Sequence, residues 1–242
     1  MEKSLNGKVA IVTGAGRGIG RSIALSLAQH GARISLAART VTELQNVKME
    51  IESCGGQAVI FPTDLSREED SIALIHKSFE RFKRLDILIN NAGLGIFTPL
   101  VETTLEQWEQ LMAVNARGPF LLCREAIPYL KLQDRSFIIN IISVAGFKGY
   151  VNQSIYSASK HAVLGMTKAL AREVQRNGIR VHAVCPSGVD TRIVEQLNST
   201  TDRSELMKPE EIAEIVLFLL TRQGNAVIDE LRVRRAASIP WL

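Results

Sequence analysis

The chain has 242 residues, 46% hydrophobic and 22% charged, with a net charge of +4; this describes one ordinary globular domain, residues 1–242, with too little chain for two. Aromatics make up 5%, no basic run is interleaved with them, and only Arg232, Arg234 and Arg235 cluster near the end, as a solvated face would, so no nucleic-acid partner is expected. No run of about 18 apolar residues occurs, and Met1–Gly7 lacks the apolar stretch of a signal peptide, so neither a membrane span nor a leader is expected.

Lys8–Val12 is a short, wholly apolar run after its first residue, the pattern of a strand covered on both faces. A helix follows through Ile23, Ala24, Leu27 and Ala28 and stops at Gly31. Residues 33–37 read as a strand, 41–53 as a helix, and 57–61 as a third strand. Ser66-x-x-Glu69 has the form of a capping box and predicts a helix to about Phe82. Residues 86–89 read as a fourth strand. Thr104-x-x-Gln107 predicts a cap for a helix through Trp108, Leu111 and Val114, with a second helical stretch after Arg117. Residues 136–141 form a fifth strand, and a long helix runs through Tyr156 to about Arg176. Residues 179–184 form a sixth strand, 187–207 a polar loop, and Pro209-Glu210-Glu211 opens a last helix with acids in its first turn. Ala226–Ile228 predicts the start of a seventh strand, and 229–234 an edge strand. This alternation predicts a doubly wound α/β fold around a parallel sheet.

Two stretches carry chemistry. Tyr156 and Lys160, four residues apart, lie on one helix face. A phenol has a pKa of about 10, and a fixed ammonium one turn away favours its phenolate, which makes the pair a proton donor and acceptor for carbonyl and alcohol chemistry. Thr13-Gly14-Ala15-Gly16-Arg17-Gly18-Ile19-Gly20 joins a strand to a helix, the context of a phosphate-binding turn. In it Gly14 permits the tight turn, Gly18 lets backbone approach a pyrophosphate, and Gly20 allows close helix–sheet packing. Cys54, Cys123 and Cys185 are odd in number and far apart, as in a reduced, cytoplasmic protein, and the four histidines have no metal-binding spacing.

The Gly-x-x-x-Gly-x-Gly spacing after Thr13 resembles the short-chain dehydrogenase/reductase family. Four further segments agree: Asn90-Asn91-Ala92-Gly93 after the fourth strand, Asn115 in the next helix, Ser143 thirteen residues before Tyr156, and Pro186 to Thr191 after the sixth strand. The resemblance covers about Lys8 to Leu220 and implies a Rossmann-type fold of about seven strands with helices on both faces. It further implies that Tyr156 exchanges a proton with the substrate oxygen, that Lys160 lowers its pKa and binds the nicotinamide ribose, that Ser143 polarises the carbonyl, and that Asn115 holds a water in a proton relay. Cofactor contacts are expected from the glycine turn and from Arg39, Asp64, Leu65, Asn91, Ala92, Gly93, Pro186, Gly188, Val189 and Thr191.

Cofactor choice follows from charge. A NAD-binding site places an acid about 20 residues beyond the glycines; Ala37-Ala38-Arg39-Thr40 has none, and Arg17 with Arg39 could meet a 2′-phosphate, so NADP(H) is expected over NAD(H). Two departures from the family pattern are Ser187, where Gly is usual, and a tail without the usual Asp-Gly-Gly finish. The substrate pocket is expected from Leu94, Ile96, Phe97, Val144, Phe147, Tyr150, Val151 and the loop 187–207. Its apolar character, with the resemblance, suggests a ketone, first a 3-oxoacyl thioester on an acyl carrier protein contacted by Lys131 and Arg172, and otherwise a small alcohol, sugar or cyclic ketone. The rival of another class is a silent NADP(H)-binding regulator. Small residues along the long helix, Ala158, Ala162, Gly165 and Ala169, with the family's habit, suggest a homo-oligomer, a tetramer or dimer.

Overall fold

In the computed structural model, residues 4–197 and 202–240 are described; of the expected loop 187–207, the stretch 198–201 lies outside them, as do Met1–Lys3 of the expected leader-free start and the last two residues. Seven parallel strands are hydrogen-bonded in one sheet: β1 (Val9–Thr13), β2 (Arg33–Ala38), β3 (Gln57–Pro62), β4 (Ile87–Asn90), β5 (Ser136–Ile141), β6 (Ile179–Pro186) and β7 (Glu230–Val233). Their order is β3-β2-β1-β4-β5-β6-β7.

Period-two alternation divides the core between the two faces. Val12, Ile89 and Ile139 point to one side, where α1 (Gly18–Gln29), α2 (Val41–Ser53) and α8 (Pro209–Thr221) bring Ile23, Leu44 and Val216. Ile11, Leu88 and Ile138 point to the other, against Leu74 of α3 (Glu68–Phe82), Leu122 of α5 (Gly118–Leu130) and Leu170 of α6 (Ser154–Val174). Each of these side chains is almost fully buried, worth roughly 1.5–3 kcal/mol apiece, which is why the strands read as unbroken apolar runs.

Chain order departs from spatial order at β1, which has β2 on one side and β4 on the other. The connections leave in opposite directions there and open a crevice above the carboxyl ends of the strands.

Local expectations and structure differ in three places. The hydroxyl of Ser66 does not cap α3: it donates to Asp64 Oδ1 at 2.8 Å, and the helix begins at Glu68 with Arg67 as N-cap. A carboxylate two residues upstream is a better acceptor for that hydroxyl than the helix amides are donors. Thr104 does form the predicted capping box with Gln107, opening α4 (Leu105–Met112). However, α4 and α5 are one continuous helical run, joined by a π-helical turn over Ala113–Arg117. The seventh strand starts at Glu230 rather than Ala226, because pairing with Ala183–Pro186 of β6 sets its register. Upstream of it, the carbonyl of Ile228 is taken by the His182 ring at 2.6 Å.

Candidate active site

The glycine turn is closed by atoms of its own and of β4. Thr13 Oγ1 donates to the Ile89 carbonyl (3.1 Å) and accepts from the amides of Asn91 (3.0 Å) and Ala92 (3.1 Å). Asn91 Nδ2 donates to the Thr13 carbonyl at 2.9 Å. Both side chains, expected as cofactor contacts, therefore hold the floor of the crevice. Gly14 has φ of +64°, and a methyl there would lie 2.8 Å from Asn91 Nδ2. A methyl on Gly20 would lie 2.2 Å from the Gly14 carbonyl oxygen, so Gly20 closes the turn onto α1 rather than α1 onto the sheet. Arg17, the N-cap of α1, caps it with no side-chain bond, and Gly18 and Ile19 line the crevice, leaving a helix N-terminus free for an anion.

At the far end, Ala37, Ala38, Arg39 and Thr40 line the crevice. Arg39 makes no ion pair among the described residues. Arg17 does not join it. Its Nη1 donates to both oxygens of Glu43, at 2.9 and 3.3 Å, and Arg192 of the short helix α7 (Arg192–Glu195) approaches the same carboxylate at 3.5 Å. Of the two arginines expected to meet a 2′-phosphate, Arg39 is thus without an ion pair among the described residues and Arg17 is shared with Glu43. Asp64 accepts from the amide and hydroxyl of Ser66, and those bonds, with the charges of Arg39 and Arg67, outweigh burial and hold its pKa below the usual value.

Tyr156 and Lys160 lie one turn apart on α6, both over nine-tenths buried, with the ammonium 5.7 Å from the phenol ring centroid. Phe97 meets the Tyr156 ring edge-on, with centroids 5.3 Å apart. Burial pushes the phenol up to about 12, against the nearby Ser143 hydroxyl, which pulls it down. Burial pulls the lysine down to about 8, opposed by the Cys185 thiol. Ser143 ends β5 and opens a short 3-10 turn, its Oγ also accepting from the Ala145 amide at 3.1 Å.

Asn115 sits inside the π turn, 1% exposed, and does not reach the crevice wall. Its Oδ1 accepts from the Leu94 amide (2.8 Å), and its Nδ2 donates to the Leu94 carbonyl (3.0 Å) and to Ser159 Oγ (3.1 Å). Ser159 in turn donates to the Tyr156 carbonyl at 2.7 Å. The asparagine side chain thus clamps the loop after Gly93 to α6.

Glycine turn, Arg39, Asp64, Leu65, Asn91 to Leu94, Ser143, Tyr156, Lys160, Pro186, Gly188, Val189 and Thr191 open on one cleft of about 880 Å³. One model, that of the short chain dehydrogenases, matches residues 8–202. The chain belongs to the short-chain dehydrogenase family. An uncharacterised oxidoreductase of Staphylococcus aureus (strain MRSA252) is 36% identical over 230 residues, 95% of this chain and 98% of that one. Another from Thermotoga maritima is 36% identical, covering 89% of this chain and 90% of its own. Among solved structures, a metagenomic short-chain oxidoreductase in complex with NADP superposes with a TM-score of 0.85 at 36% identity, covering 96% of this chain and 99% of that one. An alcohol dehydrogenase from Thermococcus sibiricus, complexed with 5-hydroxy-NADP, does so with a TM-score of 0.89 at 28% identity, covering 97% and 99%.

Of the residues expected around a substrate, Leu94, Phe97, Val144 and Tyr150 line this cleft. Ile96, Phe147 and Val151 do not. Ile96 packs beside Leu111 and Ile155, Phe147 lies against Ile142 and under Arg232 at 4.0 Å, and Val151 is 87% exposed on the surface. Ile96 follows β4 in a loop, and Phe147 and Val151 follow the 3-10 turn Val144–Gly146, where closeness in sequence to Gly93 or Ser143 does not set the side-chain direction. Arg192 lines the cleft from within the loop 187–207, which was expected there; sequence reasoning missed Glu43, Gln153, Ser159, Arg235 and Ser238, and of these only Ser159, inside the Tyr-x-x-x-Lys stretch, carried a signal.

Proposed function

We propose that the protein reduces ketones to secondary alcohols with NADP(H), with Tyr156 as proton donor. The observation that carries the reading is the buried Tyr156 side chain, lining one cleft with Ser143, with Lys160 one turn on and with the uncapped start of α1. The cleft fits a dinucleotide: two of its glycines leave no room for a methyl, and the helix N-terminus is open to phosphate. The glycine turn would hold the pyrophosphate, Asp64 and Leu65 the adenine, Arg39 the 2′-phosphate, and Val189 and Thr191 the nicotinamide side. The NADP and 5-hydroxy-NADP in the two similar structures support NADP(H), with NAD(H) as the weaker partner.

When bound, the reduced cofactor supplies the hydride. The protein's part is positional and acid–base. Ser143 holds the carbonyl oxygen, and Tyr156, whose raised pKa keeps it protonated at neutral pH, passes its proton to that oxygen as charge builds there. Lys160 remains largely cationic at pH 7 and steadies the phenolate left behind. Asn115 fixes the helix that carries both, and a water beside it would return the proton.

A 3-oxoacyl thioester is the first substrate class, supported by the apolar wall of Leu94, Phe97 and Val144, with an acyl carrier protein as its source and a small alcohol, sugar or cyclic ketone as the alternative. A homo-oligomer is part of the same reading. A cytoplasmic location suits the unpaired Cys54, Cys123 and Cys185 and helices none of which, among the described residues, is long and apolar enough to cross a membrane. The test is oxidation of NADPH across a ketone panel. Tyr156→Phe should lower kcat by about 100-fold or more while leaving NADPH affinity within threefold. A wild-type protein that binds NADPH tightly and turns over no ketone would instead be the silent regulator.

A further inference from the structure

The tail after β7 is tied to the substrate end of the cleft. The Ser187 amide donates to the Val233 carbonyl at 2.8 Å, and Ser187 Oγ accepts from the Arg235 amide at 3.0 Å. Arg234 Nη1 then donates to the carbonyls of Arg235, Ala236 and Ser238 at 3.0, 3.1 and 2.9 Å, curling the tail back on itself. Ser187 stands where its relatives usually have Gly, and its hydroxyl makes the tie. Arg235 and Ser238 line the cleft as a result.

Register locates that wall. Ile141 pairs with Val184, and Pro186 with Val233, so the ends of β5, β6 and β7 lie in a row. Ser143, Gly188 and Arg235 follow one another along it, on the side of Ser143 away from β1 and the glycine turn. The Arg235 side chain is 22% exposed, and its Nη1 is closed to solvent without a hydrogen-bond partner among the described residues. Glu205 Oε2, at 3.6 Å, is too far for a hydrogen bond. Gly188 leaves the space: a methyl there would sit 3.3 Å from Arg235 Cδ and 3.0 Å from Leu206. Arg203, on the same wall, is satisfied twice over by Asp190 and Glu195. With Glu205 near enough for a loose ion pair but not for a hydrogen bond, a guanidinium N–H out of water and without a hydrogen bond is unfavourable until a better acceptor arrives.

Resting on the reading of ketone reduction, we propose that Arg235 receives an oxyanion carried by the substrate itself. The planar fork of a guanidinium suits a carboxylate on an oxo acid, or the phosphate of a pantetheine-type thioester. Both present the same chemistry to the arginine.

Two matched pairs distinguish the sources: a straight-chain oxo acid against its methyl ester, and a coenzyme A thioester against the N-acetylcysteamine thioester of the same acyl chain. Affinity for the NADPH-loaded protein is measured by calorimetry and turnover by NADPH absorbance. The charged member of one pair should bind about tenfold or more tightly than the neutral one, and that pair names the source. Arg235→Gln should bring the ratio close to one, Arg235→Lys should restore part of it, and Glu205→Gln should raise it by removing a competing carboxylate. If Arg235→Gln does not fold, Glu205→Gln and the loss of the ratio with added salt still decide. No charge preference in either pair, or a preference that survives Arg235→Gln, overturns the proposal. A preference that depends on Arg235 without NADPH oxidation in any arm keeps the anchor and rejects the reduction; turnover with no preference does the reverse.

Discussion

Tyr156 and Lys160 are moved from their ordinary acidities in opposite directions by one cause, loss of water around a charge. Burial holds the phenol up to about 12 and the ammonium down to about 8. The sequence motif led us to expect a lowered phenol; desolvation outweighs the Ser143 hydroxyl that pulls the other way. A consequence for stability follows. Lys160 has a folded pKa below its unfolded one, so between about pH 8 and 10.5 the unfolded state binds more protons and stability rises with pH. Below pH 8 the buried ammonium is a standing cost of up to about 3 kcal/mol. Lys160→Met should therefore raise the melting temperature of the cofactor-free protein at pH 7 and gain little at pH 10. Melting curves of both proteins at the two pH values check this; a destabilised variant at pH 7 rules it out. Tyr156 has the opposite sign: its folded pKa is raised, so stability falls as pH climbs from about 10 to 12. Both residues were legible in the sequence by spacing; the sign of the tyrosine's shift was not, because burial is a property of the packed fold.

Between α4 and α5 the π turn does for the site what no single strand or helix does alone. It places Asn115 where its amide satisfies both the amide and the carbonyl of Leu94 and ties them to Ser159. The Gly93 position just before Leu94 is held between Asn115 Oδ1 and Lys160 Nζ, which would lie 3.4 and 3.5 Å from a methyl there. Asn115→Ala should cost about 2–3 kcal/mol by leaving Leu94 without partners and should release the amide of Leu94 to faster hydrogen exchange. Asn115→Asp keeps the acceptor for that amide and should protect it better than alanine does, while losing both donors. Equal Leu94 exchange in wild type and Asn115→Ala would show that the clamp does not hold. The elements themselves were readable wherever a cue was local and unopposed: α2 matches its expected span of 41–53, and β5 its span of 136–141. Reading failed where a nearby group competed. Asp64 took the Ser66 hydroxyl that pattern assigned to α3, and pairing with β6 moved β7 past the apolar run at Ala226. A π turn leaves no mark in a hydrophobic period of 3.6, since one extra residue in a turn merely rotates the next helix.

Across the whole molecule, the crevice is bridged at its mouth by a single carboxylate. Glu43 on α2 holds Arg17 of the glycine turn and Arg192 of α7, three elements that meet where the strand order reverses at β1. No motif announced it, since the acid expected of a NAD site belongs at the end of β2, and Ala38 is there. Exposure of the arginines limits the strap to a surface ion pair worth about 1 kcal/mol or less, weak enough for an incoming dianion to take both cations. Glu43 therefore competes with a 2′-phosphate for Arg17. Glu43→Gln should tighten NADPH binding about three- to tenfold, leave NADH binding unchanged, and steepen the loss of NADPH affinity with salt as Arg17 joins Arg39. If Glu43 instead reads a ribose hydroxyl, the same variant weakens NADH, so titrating both cofactors separates the two roles. Arg39→Gln should do the reverse of Glu43→Gln, and the double variant should fall between them if both arginines address one phosphate.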